Sequence, residues 1–131
     1  VIRAERTFWE KATILHHEAH RPDGSPQPLR YSRHYYDLAR MCAAPVRKSA
    51  LEEIELLRQV VEFKRRFYPR GWARYEEAWG GNLRLVPTDH VLDSVARDYD
   101  RMAEMIFGEV PTLDALLQAL GELESEVNSR E

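Results

Sequence analysis

The chain contains no apolar run approaching the ~20 residues that a membrane-spanning helix needs, and no signal-peptide pattern opens it. It has a single cysteine, Cys42. One thiol cannot close an internal disulfide, and no zinc-binding spacing surrounds it, so cysteine usage fits a reducing compartment such as the cytoplasm. A P-loop, a GxGxxG run and a Ser-His-Asp order with a nucleophile elbow are all missing, which excludes the phosphate cradles and hydrolytic sites that short motifs announce. Repeats and low-complexity tracts are missing too. What remains is an ordinary globular composition: 131 residues, 44% hydrophobic and 31% charged, enough for one domain with one core. The first residue is Val1 rather than Met, which points to a piece of a longer protein or a processed chain.

The net charge of −3 hides an asymmetry. Residues 1–48 carry nine Lys/Arg against five Asp/Glu, whereas residues 83–131 carry four against eleven. The overall balance gives no reason to expect nucleic-acid binding. The N-terminal third could still face a phosphate-bearing ligand, or the two ends could simply attract each other.

Hydrophobic spacing predicts an all-α single domain of about five helices packed around a central amphipathic helix. The first helix covers residues 4–20, with Phe8, Ala12, Leu15 and Ala19 as its apolar stripe. At 100° per residue Lys11 falls about 60° from the stripe centre, where a lysine can bury its stem and aim its amine. Residues 21–30 hold three prolines and a glycine and read as a loop. The second helix runs from a Ser32 N-cap to Ala44, with Tyr35, Leu38, Ala39 and Cys42 buried and Arg33, Asp37 and Arg40 on the opposite face. A Ser49/Glu52 capping box opens the third helix, whose two adjoining stripes (51, 54, 57, 61 and 56, 60, 63, 67) make it the expected central helix. It should stop at Pro69-Arg70-Gly71. Trp72, Tyr75 and Trp79 suggest a short turn over the core, and LRLVP an extended segment. Thr88 or Asp89 caps a fourth helix burying Val91, Val95, Tyr99, Met102 and Ile106, and Met105 and Phe107 join that apolar group. Pro111-Thr112 opens the last helix, whose Glu-rich final turns should face solvent and fray.

Three constellations could carry chemistry. His16 and His20 in HHEAH are i, i+4 and could share a metal, although the spacing is not HExxH; solvated histidines at a helix C-terminus are the plainer reading. Arg33 and Asp37 make an i, i+4 ion pair in the orientation that favours a helix less. Lys11 could serve as a compact, mobile cation for a phosphate. Trp72, Tyr75 and Trp79 could stack on bases, but beside a long apolar helix they read as core.

Taken together, RTFWEKATILHHEAH, RYSRHYYDLARM, VVEFKRRFYPRGWARYEEA, LRLVPTDH and MIFGEVPTLDALL resemble the C-terminal region of the AbiEii/AbiGii-type nucleotidyltransferase toxins, over nearly the whole chain. The resemblance implies a polymerase-β-like enzyme of a toxin–antitoxin or phage-defence system. Its N-terminal α/β lobe carries a Gly-Ser motif and a Mg²⁺-binding D-x-D pair, and its helical lobe adds a lysine and an aspartate. Those two positions correspond here to Lys11 and Asp37, with Arg33 and Arg40 implied as contacts to nucleotide or RNA phosphates. It further implies NTP and Mg²⁺ as substrate and cofactor of the whole enzyme, tRNA as an acceptor, and an antitoxin as partner. The Gly-Ser motif and D-x-D pair are absent; Asp98-Tyr99-Asp100 has the letters without the preceding strand and turn. The expectation is therefore that residues 1–131 are a helical C-terminal domain, silent on its own. Many relatives read R-D-x-x-D-L where this chain has Arg33-His34-Tyr35-Tyr36-Asp37-Leu38, so Asp37 is the one carboxylate that carries over. A stand-alone helical module binding protein or RNA, and a His-cluster metal protein, are the alternatives from other classes.

Overall fold

A computed structural model describes residues 3–25, 27–67, 74–79, 81–106 and 108–130. Among them are six α-helices, one 3-10 turn and no strand. The helices are α1 (Ala4–Ala19), α2 (Ser32–Cys42), α3 (Val46–Glu52), α4 (Glu55–Phe67), α5 (Asp89–Ala103) and α6 (Leu113–Arg130), with the 3-10 turn at Tyr75–Ala78. None is long and apolar enough to cross a membrane. The all-α expectation holds. The predicted ends at Pro69–Gly71, the aromatic Trp72 and the core residue Phe107 lie outside the described residues.

The helix at the centre is α1, not the predicted third helix. It packs against α2, α3, α4 and the 3-10 turn. Phe8, Trp9, Ala12, Thr13, Leu15, His16, His17 and Glu18 are all buried, so neighbours cover it on most of its girth. A stripe at 8, 12, 15 and 19 could not reveal that, because much of the remaining contact surface is polar and looks solvent-facing in sequence. Trp9 shows how polarity is accommodated: its ring packs edge-on to Phe8 at 5.0 Å while its indole N–H donates to the Ala50 carbonyl at 3.2 Å.

The predicted third helix is two helices. The chain breaks at Glu53 (φ −112°, ψ 48°), and Ser49 lies inside α3, not at its start. Its hydroxyl bonds the Val46 carbonyl and the Glu5 carboxylate, so the capping box does not form. Pro45, with φ −56°, already has the dihedral a helix start requires, which lets α3 begin before the serine. In α4 the buried positions are Leu57, Val60 and Val61. The second predicted stripe divides: Val60 is fully buried and Leu56 partly so, whereas Phe63 is 40% and Phe67 57% exposed.

Several termini are fastened by distant side chains. Ser32 is a helical residue, not an N-cap. The Asp98 carboxylate of α5 accepts the backbone N–H groups of Arg30 and Ser32 at 2.8 and 2.9 Å and caps α2 from across the fold. Asp98 thus has a structural partner, and these hydrogen bonds outweigh its partial burial and hold its carboxyl below the usual range. Leu83 and Leu85 bury fully on an extended strap. Three successive strap N–H groups donate to side chains: Leu83 to Asn128 (2.9 Å), Arg84 to His16 Nδ1 (3.0 Å) and Leu85 to Glu124 (2.6 Å). With Glu126 on Arg47 at 2.8 Å and Val127 fully buried, the last turns of α6 are docked, contrary to the expectation of fraying. Met105 is 68% exposed and so is not core, because α5 already ends at Ala103.

Candidate functional site

The predicted histidine cluster is structural. His16 is fully buried; its Nδ1 accepts from the Arg84 backbone and its Nε2 lies 2.7 Å from the Arg74 carbonyl. Both ring nitrogens are used, which requires a neutral ring protonated on Nε2 and leaves no lone pair for a metal. Burial brings its pKa down to about 4. His20 turns its Nδ1 to the His16 carbonyl, 2.9 Å away. Among the described residues no three His, Cys, Asp or Glu side chains converge to hold a metal. His16 and His17 are therefore core residues with no lone pair of His16 left for a metal, while His20 stays partly exposed at the C-cap of α1. Glu18, also fully buried, takes a two-pronged contact from Arg21 (2.8 and 2.7 Å), the Gln27 amide at 2.8 Å and His17 Nε2 at 2.8 Å. Burial alone would raise its carboxyl; those donors outweigh it and hold the pKa at about 2. This pins the 21–30 loop between α1 and α2. Cys42 is buried and its thiol is pushed up to about 11, chiefly by burial, so it is not a nucleophile.

The functional candidates meet on the α1–α2 face. The shoulder position of Lys11 on α1 points it at α2, and one turn of α2 supplies His34 and Asp37. The Lys11 ammonium donates to Asp37 Oδ2 at 3.1 Å and lies 3.1 Å from His34 Nδ1. All three are partly buried, with Lys11 and Asp37 side chains 22% and 29% exposed. Burial, and then the Lys11 charge, lower the His34 pKa. A neutral His34 accepting from Lys11 satisfies both observations. An ammonium has three protons; two are directed at Asp37 and His34, and the third is left for a ligand. Arg33 stands at the rim, 3.8 Å from the same Asp37 oxygen and 74% exposed, so its pair with Asp37 contributes little. Arg40 is not brought to the cluster: it is exposed and folds back on Tyr36, 2.8 Å from the hydroxyl and 5.6 Å above the ring. Next to the cluster, between α2 and α5, opens a cavity of about 480 Å³ walled by Arg33, Tyr36, Asp37, Arg101, Met102 and Ile106.

A model of the family described as nucleotidyl transferase AbiEii toxin, type IV toxin–antitoxin system, matches residues 1–119 of the 131-residue chain. The chain belongs to the AbiEii nucleotidyl transferase toxin family. No curated protein and no solved structure matches it. The match spans every residue of the Lys11–His34–Asp37 cluster and all of α1 to α5. His34, which stands where many members of this family are expected to carry an aspartate, fills an acceptor's place beside Lys11. One half-buried charge escaped sequence reasoning. Lys64 continues the buried stripe of α4 after Leu57, Val60 and Val61, and burial brings its pKa down to about 8. The signal was there in the spacing, a lysine at i+7, i+4 and i+3 from three buried residues, but a lysine in KRR reads as a solvated end.

Proposed function

We propose that these helices are the helical half of a toxin-type nucleotidyltransferase, and that Lys11 and Asp37 form its share of an active site completed by another lobe. The observation that carries this reading is the 3.1 Å Lys11–Asp37 pair lying inside the family match. In nucleotidyl transfer an acceptor hydroxyl oxygen bonds to the α-phosphorus, the α–β anhydride bond breaks and pyrophosphate leaves, while the hydroxyl proton passes to a base or solvent. Such chemistry depends on positioning and on neutralising phosphate charge. Lys11 is suited to the β- and γ-phosphates: it is a compact cation, already desolvated in part and held by Asp37 and His34 with one proton free. Asp37 acts as the positioning residue for that ammonium. Arg33, at the rim, and Arg40, one helical turn away, would contact the triphosphate or the backbone of an RNA acceptor such as tRNA.

Mg²⁺ does not fit the described residues. Asp37 already receives two cations on one oxygen, and no second carboxylate joins it there. On this reading the metal belongs to carboxylates beyond these helices. Membership of a toxin–antitoxin family makes an antitoxin the expected partner. The test joins the helices to their catalytic lobe and measures incorporation of each of four labelled NTPs into total RNA. Lys11→Met and Asp37→Asn should each lower incorporation at least ~100-fold, the scale of a lost transition-state contact, with unchanged far-UV circular dichroism. The 131-residue chain alone should give none. Wild-type rates in Lys11→Met would remove the reading.

A further inference from the structure

The cavity between α2 and α5 is joined to the Lys11–Asp37 pair by Asp37 itself, which lines the one and belongs to the other. Its volume of about 480 Å³ falls within the range of small-ligand sites, about 300–1,000 Å³. Leu29, Met102, Met105 and Ile106 make it largely apolar, and Leu29 and Met105 are 76% and 68% exposed. Tyr36 adds an aromatic ring; its hydroxyl accepts from Arg40 at 2.8 Å and keeps its own proton to donate. Three exposed guanidiniums, those of Arg30, Arg33 and Arg101, complete the lining. Among the described residues no hydrogen bond or ion pair engages the Arg30 or Arg101 side chain, and Arg33 comes no closer than 3.8 Å to Asp37 Oδ2. Arg30 is set by the fold. Its backbone stands in the left-handed region at φ 69°, which a non-glycine residue adopts at a cost, and its N–H donates to Asp98 at 2.8 Å. The two Asp98 oxygens are occupied by the backbone N–H groups of Arg30 and Ser32. Asp37 is the other carboxylate of the cavity. Lys11 and Arg33 both approach its Oδ2, and no hydrogen bond reaches its Oδ1 among the described residues.

An apolar space with an aromatic ring and free guanidiniums is the combination that single-stranded nucleic acid requires: a surface for a base, and cations for successive phosphates. We propose that the cavity receives the 3′-terminal nucleotide of an RNA acceptor, with its base against Tyr36, Met102 and Ile106, its phosphates on Arg30, Arg33 and Arg101, and its terminal hydroxyl donating to Asp37 Oδ1. The inference rests on the nucleotidyltransferase reading and adds to it the place of the acceptor. Asp37 then divides its two oxygens: Oδ2 positions Lys11 for the triphosphate, and Oδ1 positions the hydroxyl. The arginines come from the 21–30 loop, α2 and α5, a spread that suits a backbone with one phosphate per residue better than the clustered phosphates of a free NTP. An acidic peptide would set its carboxylates against Asp37. No side-chain amide lines the cavity, so it holds a base by its faces and discriminates weakly among the four.

The experiment titrates the 131-residue chain into a 5′-labelled single-stranded RNA tetranucleotide at low salt and reads fluorescence anisotropy. The form with a free 3′-hydroxyl should bind. A terminal 3′-phosphate, set against the Asp37 carboxylate, should weaken binding about tenfold or more, and so should an abasic terminal residue, which has nothing to place in the cavity. Arg30→Ser and Arg101→Ser remove exposed guanidiniums that hold nothing else, so the fold should stand. Each should lower the slope of log K against log salt by about 0.7. Equal binding of the 3′-phosphate or abasic form, wild-type binding by the chain carrying both serine substitutions, or no binding by wild type would each overturn the proposal. Competition by ATP as strong as that of the unlabelled tetranucleotide would overturn it too and give the cavity to the donor nucleotide. In the enzyme joined to its catalytic lobe, the two serine substitutions together should raise KM for RNA and leave KM for NTP unchanged. Both KM values unchanged would overturn the proposal and leave the nucleotidyltransferase reading standing. RNA bound as described, by an enzyme that transfers no nucleotide, would remove that reading and leave a site for RNA 3′ ends.

Discussion

Acidification from pH 7 to pH 5 should destabilise this chain through His16 in particular. Folded, the ring is buried, accepts from Arg84 and bonds the Arg74 carbonyl, and its pKa is about 4; unfolded, it returns to about 6.5. The unfolded chain therefore binds the proton more readily. His16 stability is fully present above pH 6.5, falls as the pH drops below it, and reaches its full loss near pH 4. Linkage between those two values gives a loss of about 2 kcal/mol between pH 7 and pH 5 from this one ring. Because the ring is fully buried, solvent screening does not reduce that figure. Urea denaturation at the two pH values measures it. In His16→Gln the side chain keeps a donor for Arg74 but does not titrate. That variant should be less stable at pH 7 by about 1–3 kcal/mol, the cost of an imperfectly satisfied buried group. Its further loss on going to pH 5 should be smaller than the wild type's by about 2 kcal/mol. His34, also held below its ordinary value, contributes equally to both proteins and cancels in the difference. Equal acid losses in the two proteins would refute the buried, neutral assignment.

Glu18 behaves as the second acid-sensitive element, in a lower window. Its stabilisation is present above about pH 4.5 and is lost as the pH falls toward 2, and Glu18→Ala at pH 7, which strands the 8%-exposed Arg21, should cost about 3–5 kcal/mol in chemical denaturation. A cost below about 1 kcal/mol would mean that Arg21 finds water or another partner. Asp98→Ala removes the acceptor for two backbone N–H groups and should cost about 1–3 kcal/mol. Amide exchange at Arg30 and Ser32 should accelerate selectively; uniform acceleration would show instead that the fold as a whole has loosened.

Where side-chain periodicity alone decides an element, it was readable. The first helix, the last helix and the Pro-rich loop all lie within a few residues of their predicted positions, because apolar spacing and proline geometry act locally. The third helix failed at Glu53 because capping chemistry at Ser49 competed with Pro45 and with a long-range bond to Glu5. Phe63 and Phe67 fit a stripe yet remain exposed, since a repeat says which residues share a face and not what covers that face.

The candidate site divides in the same way. Lys11 and Asp37 could be singled out by residue type and by likeness to a family, and so could the class of protein. Their partnership could not, since 26 positions separate them and only the packing of α1 on α2 brings them to 3.1 Å. Arg40 turned away to Tyr36, and His16 and His17 withdrew into the core, for the same reason. Local sequence sets helix content and the supply of charges. Which of those charges share a desolvated corner depends on how the helices pack, because packing alone determines distance and exclusion of water.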